Sequence, residues 1–108
     1  MAFKLALSET YKVKVVVETP NEYGKTSKDD FVAEFKRVGM DELEELRKLP
    51  QPEVFERVLV GWSGLLDGDN QAVPFSELNR KALLNIPQAL AGLMESYWPS
   101  VFKAREKN

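Results

Sequence analysis

"DDFVAEFKRV", Asp29 to Val38, can be read in two ways, and the fold depends on which one holds. As a strand, it sets Phe31, Ala33 and Phe35 against Val32, Glu34 and Lys36. As a helix, it stacks Phe31, Phe35 and Val38 at i, i+4 and i+7, which fits equally well. The segments before it tip the balance. "FKLAL" puts Phe3, Leu5 and Leu7 on one face, and "YKVKVVVE" alternates Tyr11, Val13, Val15 and Val17 against Lys12, Lys14 and Val16. "SET" between them suits a hairpin, and "TPNEYG" supplies Pro20, Asn21 and Gly24 for a longer turn. Two strands alone make a marginal sheet and a third gives it independent stability, so Asp29–Val38 is read as the third strand.

From Gly39 the period becomes helical. "MDELEELRKLP" has Asp41 as a capping residue, acidic side chains early, basic ones late and Pro50 as the stop. "PEVFERVLVGW" opens on Pro52 and stacks Val54, Phe55, Val58, Leu59 and Trp62 on one face. "SELNRKALLN" is capped by Ser76. "PQALAGLMESYW" aligns Leu90, Leu93, Met94, Tyr97 and Trp98, with Pro99 expected to kink or restart the helix before a charged, fraying tail. The expectation is an α+β chain: a three-stranded antiparallel sheet followed by about four helices. It forms one domain over residues 1–108, β-rich in 3–38 and helical in 40–105. No repeat or linker divides it.

Composition narrows the function. A chain of 108 residues with 44% hydrophobic and 30% charged residues is ordinary for one globular domain. Fifteen Lys and Arg against seventeen Asp and Glu exclude a strongly basic nucleic-acid-binding domain. No apolar run approaches the roughly 20 residues that span a bilayer, and "MAFKLALSE" does not read as a signal peptide. No nucleic-acid or membrane partner is expected. The chain has neither cysteine nor histidine. It therefore lacks the thiol nucleophile, the commonest general base and the commonest transition-metal ligand. A non-enzymatic, intracellular role is the default reading, with no catalytic residue, no metal and no cofactor.

The acidic stretch "DGDNQ" needs separate weighing. Asp67, Asp69 and Gln71 alternate like the opening of a calcium loop, which needs glycine at its sixth position and glutamate at its twelfth. Those positions are Ala72 and Leu78, which cannot serve. A turn fits better, with Val73, Pro74 and Phe75 returning the chain to the core and Gly61 and Gly64 easing the backbone around Trp62. An enzyme using Asp67 and Asp69 with a divalent metal is a distant reading. Lys4, Lys12 and Lys14 read as a solvated strand face, and Glu42, Glu44 and Glu45 as an exposed helix face.

The order of elements carries more than any single motif. "YKVKVVVETPNEYGK" and "FVAEFKRV" precede an acidic, leucine-bearing helix; "VLVGWSGLLDGDNQAVPFSELNRKALLNIPQAL" follows, and a last helix finishes "FKAREKN". The centre combines Gly61-Trp62, Gly64, an acidic turn, Pro74-Phe75 and a leucine-bearing helix ending at Ile86-Pro87. This series, about a third of the chain, resembles the small tail assembly chaperones of long-tailed bacteriophages and prophages. The resemblance implies a non-enzymatic protein that coats the helical, apolar tape-measure protein and helps bring tail-tube subunits to it. It implies self-association, action in the bacterial host cytoplasm and absence from the mature virion. The alternative is a small tail-completion or connector protein retained in the particle.

A chaperone for an apolar helix needs exposed apolar groups. The C-terminal helices hold Leu83, Leu84, Leu90, Leu93, Met94, Tyr97, Trp98, Val101 and Phe102, more than one narrow stripe requires. Leu90, Met94, Tyr97, Trp98 and Phe102 are the candidate partner-binding residues. Aromatic residues at this spacing are more often core, and for each one that is the competing reading. Gly61, Trp62, Gly64, Pro74 and Phe75 are expected to have structural roles, with Trp62 and Phe75 joining the helices on either side of the acidic loop.

Overall fold

The structure, a computed structural model, describes residues 1–102; the charged tail, residues 103–108, lies outside the described residues. Two long strands, β1 (Thr10–Pro20) and β2 (Thr26–Lys36), form an antiparallel hairpin, with Tyr11 opposite Phe35 and Val15 opposite Phe31. The turn between them is tied by Asn21, whose side-chain oxygen accepts from the N–H groups of Tyr23 and Lys25. Gly24 takes the positive φ of 77° that this turn needs. Asp29–Val38 is thus strand through Lys36, and Phe31, Ala33 and Phe35 are buried as its alternation predicts.

Two helices follow, α1 (Met40–Leu46) and α2 (Gln51–Val58), and then strand β3 (Leu59–Ser63), which pairs antiparallel with β2. Helices α3 (Glu77–Leu84) and α4 (Pro87–Phe102) complete the chain. The three-stranded sheet has the order β1-β2-β3, with four helices, an α+β arrangement. Its membership differs from expectation at two places.

Residues 3–7 form no strand. Glu9 does not begin a turn back toward β1; its carbonyl accepts from Arg37 N–H at 2.9 Å, so the chain approaches β1 already in line with it. The third strand is Leu59–Ser63, where the periodicity of "PEVFERVLVGW" predicts helix through Trp62. Leu-Val-Gly-Trp favours extended backbone, glycine is a poor helix residue, and the open edge of β2 offers the ladder bonds. Helix α2 passes directly into β3, and the register slips between Glu34 and Phe35 to absorb Val60 as a bulge.

The helices cover one face of the sheet. Val15, Phe31, Ala33 and Phe35 meet Leu46, Val54, Phe55, Val58, Leu93 and Tyr97 in a single core. Its centre is aromatic: Tyr97 lies edge-on to Phe35 at 4.9 Å and to Phe55 at 5.6 Å. Such pairs contribute about 0.5–1.5 kcal/mol beyond area burial. The other face is solvated and carries the exposed pairs Lys14–Asp30 at 3.7 Å and Glu18–Lys28 at 3.2 Å.

The caps are partly as expected. Ser76 caps α3 by accepting from Asn79 N–H at 3.0 Å. Helix α1 starts at Met40 with Gly39 as its cap residue, and Asp41 lies in its first turn instead of capping it. Helix α4 runs through Pro99 to Phe102. It presents Ala89, Gly92 and Ser96 to the core, and these small side chains let it settle closely on β1. No helix of the described residues is long and apolar enough to cross a membrane.

Candidate client-binding surface

The five candidate partner-binding residues of α4 do not share one surface. Tyr97 is fully buried (0% exposed), because it shares the helix face of Leu93 and points between Phe35 and Phe55. That corrects its place: it is core and offers no side-chain contact to a partner. Leu90, Met94 and Trp98 are half-buried and pack against the core, as does Val101. Trp98 is further held by its indole N–H, which donates to Gln51 Oε1 at 2.9 Å. Phe102 is 58% exposed, with the Arg47 guanidinium 5.1 Å from its ring. Leu83, Leu84 and Leu93 are buried. Of the nine apolar residues, Phe102 alone is open.

A more exposed apolar feature lies on α3. Leu83 and Leu84 turn inward, and Leu78 and Ala82 emerge on the opposite side at i and i+4, with Ile86 exposed in the turn just past the helix. Leu78 is 78% exposed, and Ile86 is also open. Leu78 and Ala82 form one wall of an open groove of about 720 Å³, with Pro52 and Glu56 of α2 and Lys81 and Asn85 along it. Sequence reading missed this surface because it followed the inward leucines; Leu78-x3-Ala82-x3-Ile86 was the available signal.

The residues around the acidic loop hold this region in place. Trp62, now on β3 and not at a helix end, stacks edge-on against Phe75 at 4.8 Å. Its indole N–H donates to the Val73 carbonyl at 2.8 Å. Arg80 crosses the same corner, donating to Leu59 O at 3.0 Å with its guanidinium 5.7 Å from the Phe75 ring. The Pro74 carbonyl accepts from the Asn79 side chain at 2.9 Å. Gly64 adopts a φ of 78°, a conformation that glycine takes without strain. Trp62 and Phe75 therefore join β3, the loop and α3, not two helices.

The acidic loop is a small hairpin. Leu66 bridges Ala72, Asn70 takes a φ of 60°, and Asp67 N–H donates to Gln71 O. One Asp67 carboxylate oxygen accepts from Asp69 N–H at 2.8 Å and Gln71 N–H at 3.0 Å, so it is engaged in shaping the turn. Among the described residues no group of three or more acidic side chains is placed to hold a metal ion.

Among the described residues two groups titrate away from their ordinary range, both tyrosines. Burial pushes Tyr97 well up, and the nearby Tyr11 and Glu42 add to it. Burial also raises Tyr11, against the opposing effects of its hydrogen bond with Ser100 and the charge of Arg37. Both are neutral at physiological pH and belong to the core and its margin, so neither offers a poised acid or base on the surface. Comparison with protein-family models, curated proteins and solved structures found no match to the chain.

Proposed function

We propose that the chain is a non-enzymatic tail assembly chaperone of a long-tailed bacteriophage. It binds the tape-measure protein, keeps that helical client soluble and helps recruit tail-tube subunits. The observation that carries this reading is the outward stripe of Leu78, Ala82 and Ile86. It falls inside the very segment, "VLVGWSGLLDGDNQAVPFSELNRKALLNIPQAL", whose ordered pattern resembles those chaperones. An amphipathic client helix docks by laying its apolar face into such a groove, with Glu56, Asn79, Lys81 and Asn85 there to meet its polar flanks.

On this reading the client lies mainly against α2 and α3, with Phe102 the one exposed contributor from the α4 set. The action belongs in the bacterial host cytoplasm, before the tail is complete. Co-expression with tape-measure fragments tests it. The wild type keeps a fragment soluble, and Leu78→Asp, an exposed change, loses that effect while retaining its circular dichroism. A wild type that solubilises no fragment sinks the chaperone reading. Finding the protein in purified virions supports the tail-completion or connector reading in its place.

A further inference from the structure

Gly68 is the one glycine of the chain that directly follows an aspartate or asparagine. In such a pair the glycine nitrogen can attack the side-chain carboxyl carbon before it and close a five-membered ring. A side chain on the attacking residue would shield its nitrogen, and Gly68 has none. Asp67 and Gly68 are both exposed, and no atom beyond the chain neighbours lies within 4 Å of the place where a Cβ on Gly68 would stand.

The turn leaves this nitrogen free and engages the three that follow it. Asp69 and Gln71 N–H donate to Asp67 Oδ1 at 2.8 and 3.0 Å, and Asn70 N–H donates to the Asp67 carbonyl at 3.1 Å. Among the described residues Gly68 N–H has no acceptor. The same bonds fold the Asp67 side chain back over its own turn, which holds Cγ on the side of the Gly68 nitrogen. They also distinguish the two carboxyl oxygens. Oδ1 has two donors on it, and it is the oxygen that gains negative charge when nitrogen adds to Cγ. Oδ2 has no partner among the described residues and is left to water, from which it takes the proton it needs to depart. The two donors also favour the ionised carboxylate, which does not react, so the reaction is slow and confined to one position. Asp69 lacks the arrangement, because the next N–H, on Asn70, is committed to the Asp67 carbonyl.

We propose that the folded chain modifies itself at Asp67–Gly68, converting Asp67 to isoaspartate and releasing the turn. The Gly68 nitrogen bonds to Cγ and gives up its proton, while the Cγ–Oδ2 bond breaks and Oδ2 leaves as water. A second water then adds to one of the two carbonyl carbons of the cyclic imide, and the bond from that carbon to nitrogen breaks, returning a proton to nitrogen. Opening at Cγ restores aspartate. Opening at the main-chain carbonyl carbon leaves the chain running through Cβ and Cγ, with that carbon as a free carboxylate. One water leaves and one returns, so the mass is unchanged. The backbone gains a carbon and the carboxylate changes place, so the bonds from Asp69 and Gln71 are lost. The same loop carries Val73, whose carbonyl holds the Trp62 indole, so the change reaches the corner under α3. No client takes part, and the chaperone reading stands or falls separately.

Ageing the full chain in neutral buffer tests it, with wild type and Gly68→Ala side by side and a wild-type reference in guanidinium chloride. Gly68 has no positive φ and open space around it, so alanine fits there. Isoaspartate is read by methyl transfer from labelled S-adenosylmethionine with an isoaspartyl methyltransferase, and placed by electron-transfer fragmentation of a digest. The folded wild type accumulates isoaspartate at position 67 and not at 69, and Gly68→Ala accumulates several-fold less. Aged wild type gains a fraction that unfolds at lower urea, while aged Gly68→Ala keeps its fresh midpoint. Isoaspartate that forms only in denaturant, or in neither condition, overturns the proposal, and this contrast needs no variant to fold. Isoaspartate at 69 in place of 67, an equal rate in folded Gly68→Ala, or an isomerised fraction with the fresh midpoint overturns it as well.

Discussion

A Cβ atom built on Gly92 would lie 2.6 Å from the carbonyl oxygen of Val16, closer than a real Cβ atom approaches backbone. Helix α4 therefore sits on β1 at a distance that only glycine allows at this point. Gly92→Ala adds helix propensity of about 1 kcal/mol, but it must push the helix off the sheet, an overpacking effect of about 1–3 kcal/mol. The neighbouring Val15 methyl would be 3.3 Å away, so the displacement cannot be local. The net expectation is a lower urea midpoint with an unchanged slope. A variant as stable as the wild type shows that α4 is not held this closely.

Gly61 gives the contrasting case. Its added Cβ would meet the Glu34 carboxylate at 2.9 Å, the mobile end of a side chain. Gly61→Ala is expected to displace that carboxylate and break its 2.6 Å bond from Thr10 Oγ1, destabilising by about 0.5–1.5 kcal/mol. The two glycines are thus ranked by what stands over them, and parallel denaturation of both variants reads the ranking directly.

Tyr97 brings a hydroxyl into the core with no hydrogen-bond partner. An unmade bond of this kind costs about 1–3 kcal/mol, so Tyr97→Phe keeps the ring contacts and is expected to be neutral or stabilising. It also changes the alkaline limb. In the unfolded chain Tyr97 ionises near the ordinary tyrosine value of 10.0, and in the fold burial keeps its proton on to higher pH. Above that unfolded value the unfolded state binds fewer protons, so wild-type stability falls as pH rises; below it this contribution is intact. Tyr97→Phe should lose less stability between pH values of roughly 9 and 11, where free tyrosine titrates. A destabilised variant with the same alkaline slope would place a partner on that hydroxyl.

The parts of the fold that could be read from the sequence are those where burial and local pattern agree. Tyr11 to Val17 and Phe31 to Phe35 alternate because one sheet face is core and the other water, and the structure follows both. Leu59–Trp62 could not be read this way. Val58 and Leu59 extend a helical stripe from Val54 and Phe55, and only the unpaired edge of β2, distant in sequence, makes them leave it. Phe3, Leu5 and Leu7 show the opposite error: a clean alternation with no strand beside it to pair with. Among the site residues, Tyr97 and Phe102 look alike in a list of aromatics, yet one is interior and the other open. Gly92 carries no local signal at all, since its reason is a carbonyl 76 positions earlier in the chain.

The corner that supports α3 rests on two aromatic rings in contact. Trp62 and Phe75 are half-buried, so alanine at either is expected to destabilise by about 2–3 kcal/mol, below the 3–5 typical of a fully buried aromatic residue. The two should not be additive. Each lies against the other at 4.8 Å, and Phe75 also meets the Arg80 guanidinium, so a double variant should lose less than the sum of the single losses. The acidic loop separates in a different way. Asp67→Ala removes a carboxylate that accepts two backbone N–H groups at 2.8 and 3.0 Å, and should cost about 0.5–1.5 kcal/mol in this exposed setting. Asp69→Ala leaves both bonds in place, because Asp69 contributes its backbone N–H to one of them and not its side chain. Its midpoint should stay at the wild-type value. If Asp69→Ala proves the more damaging of the two, or if a divalent cation raises the wild-type melting temperature and not that of Asp67→Ala, the loop is an ion site after all. If Trp62→Ala and Phe75→Ala both unfold at wild-type urea concentrations, the corner does not hold α3, and those rings are available to a partner.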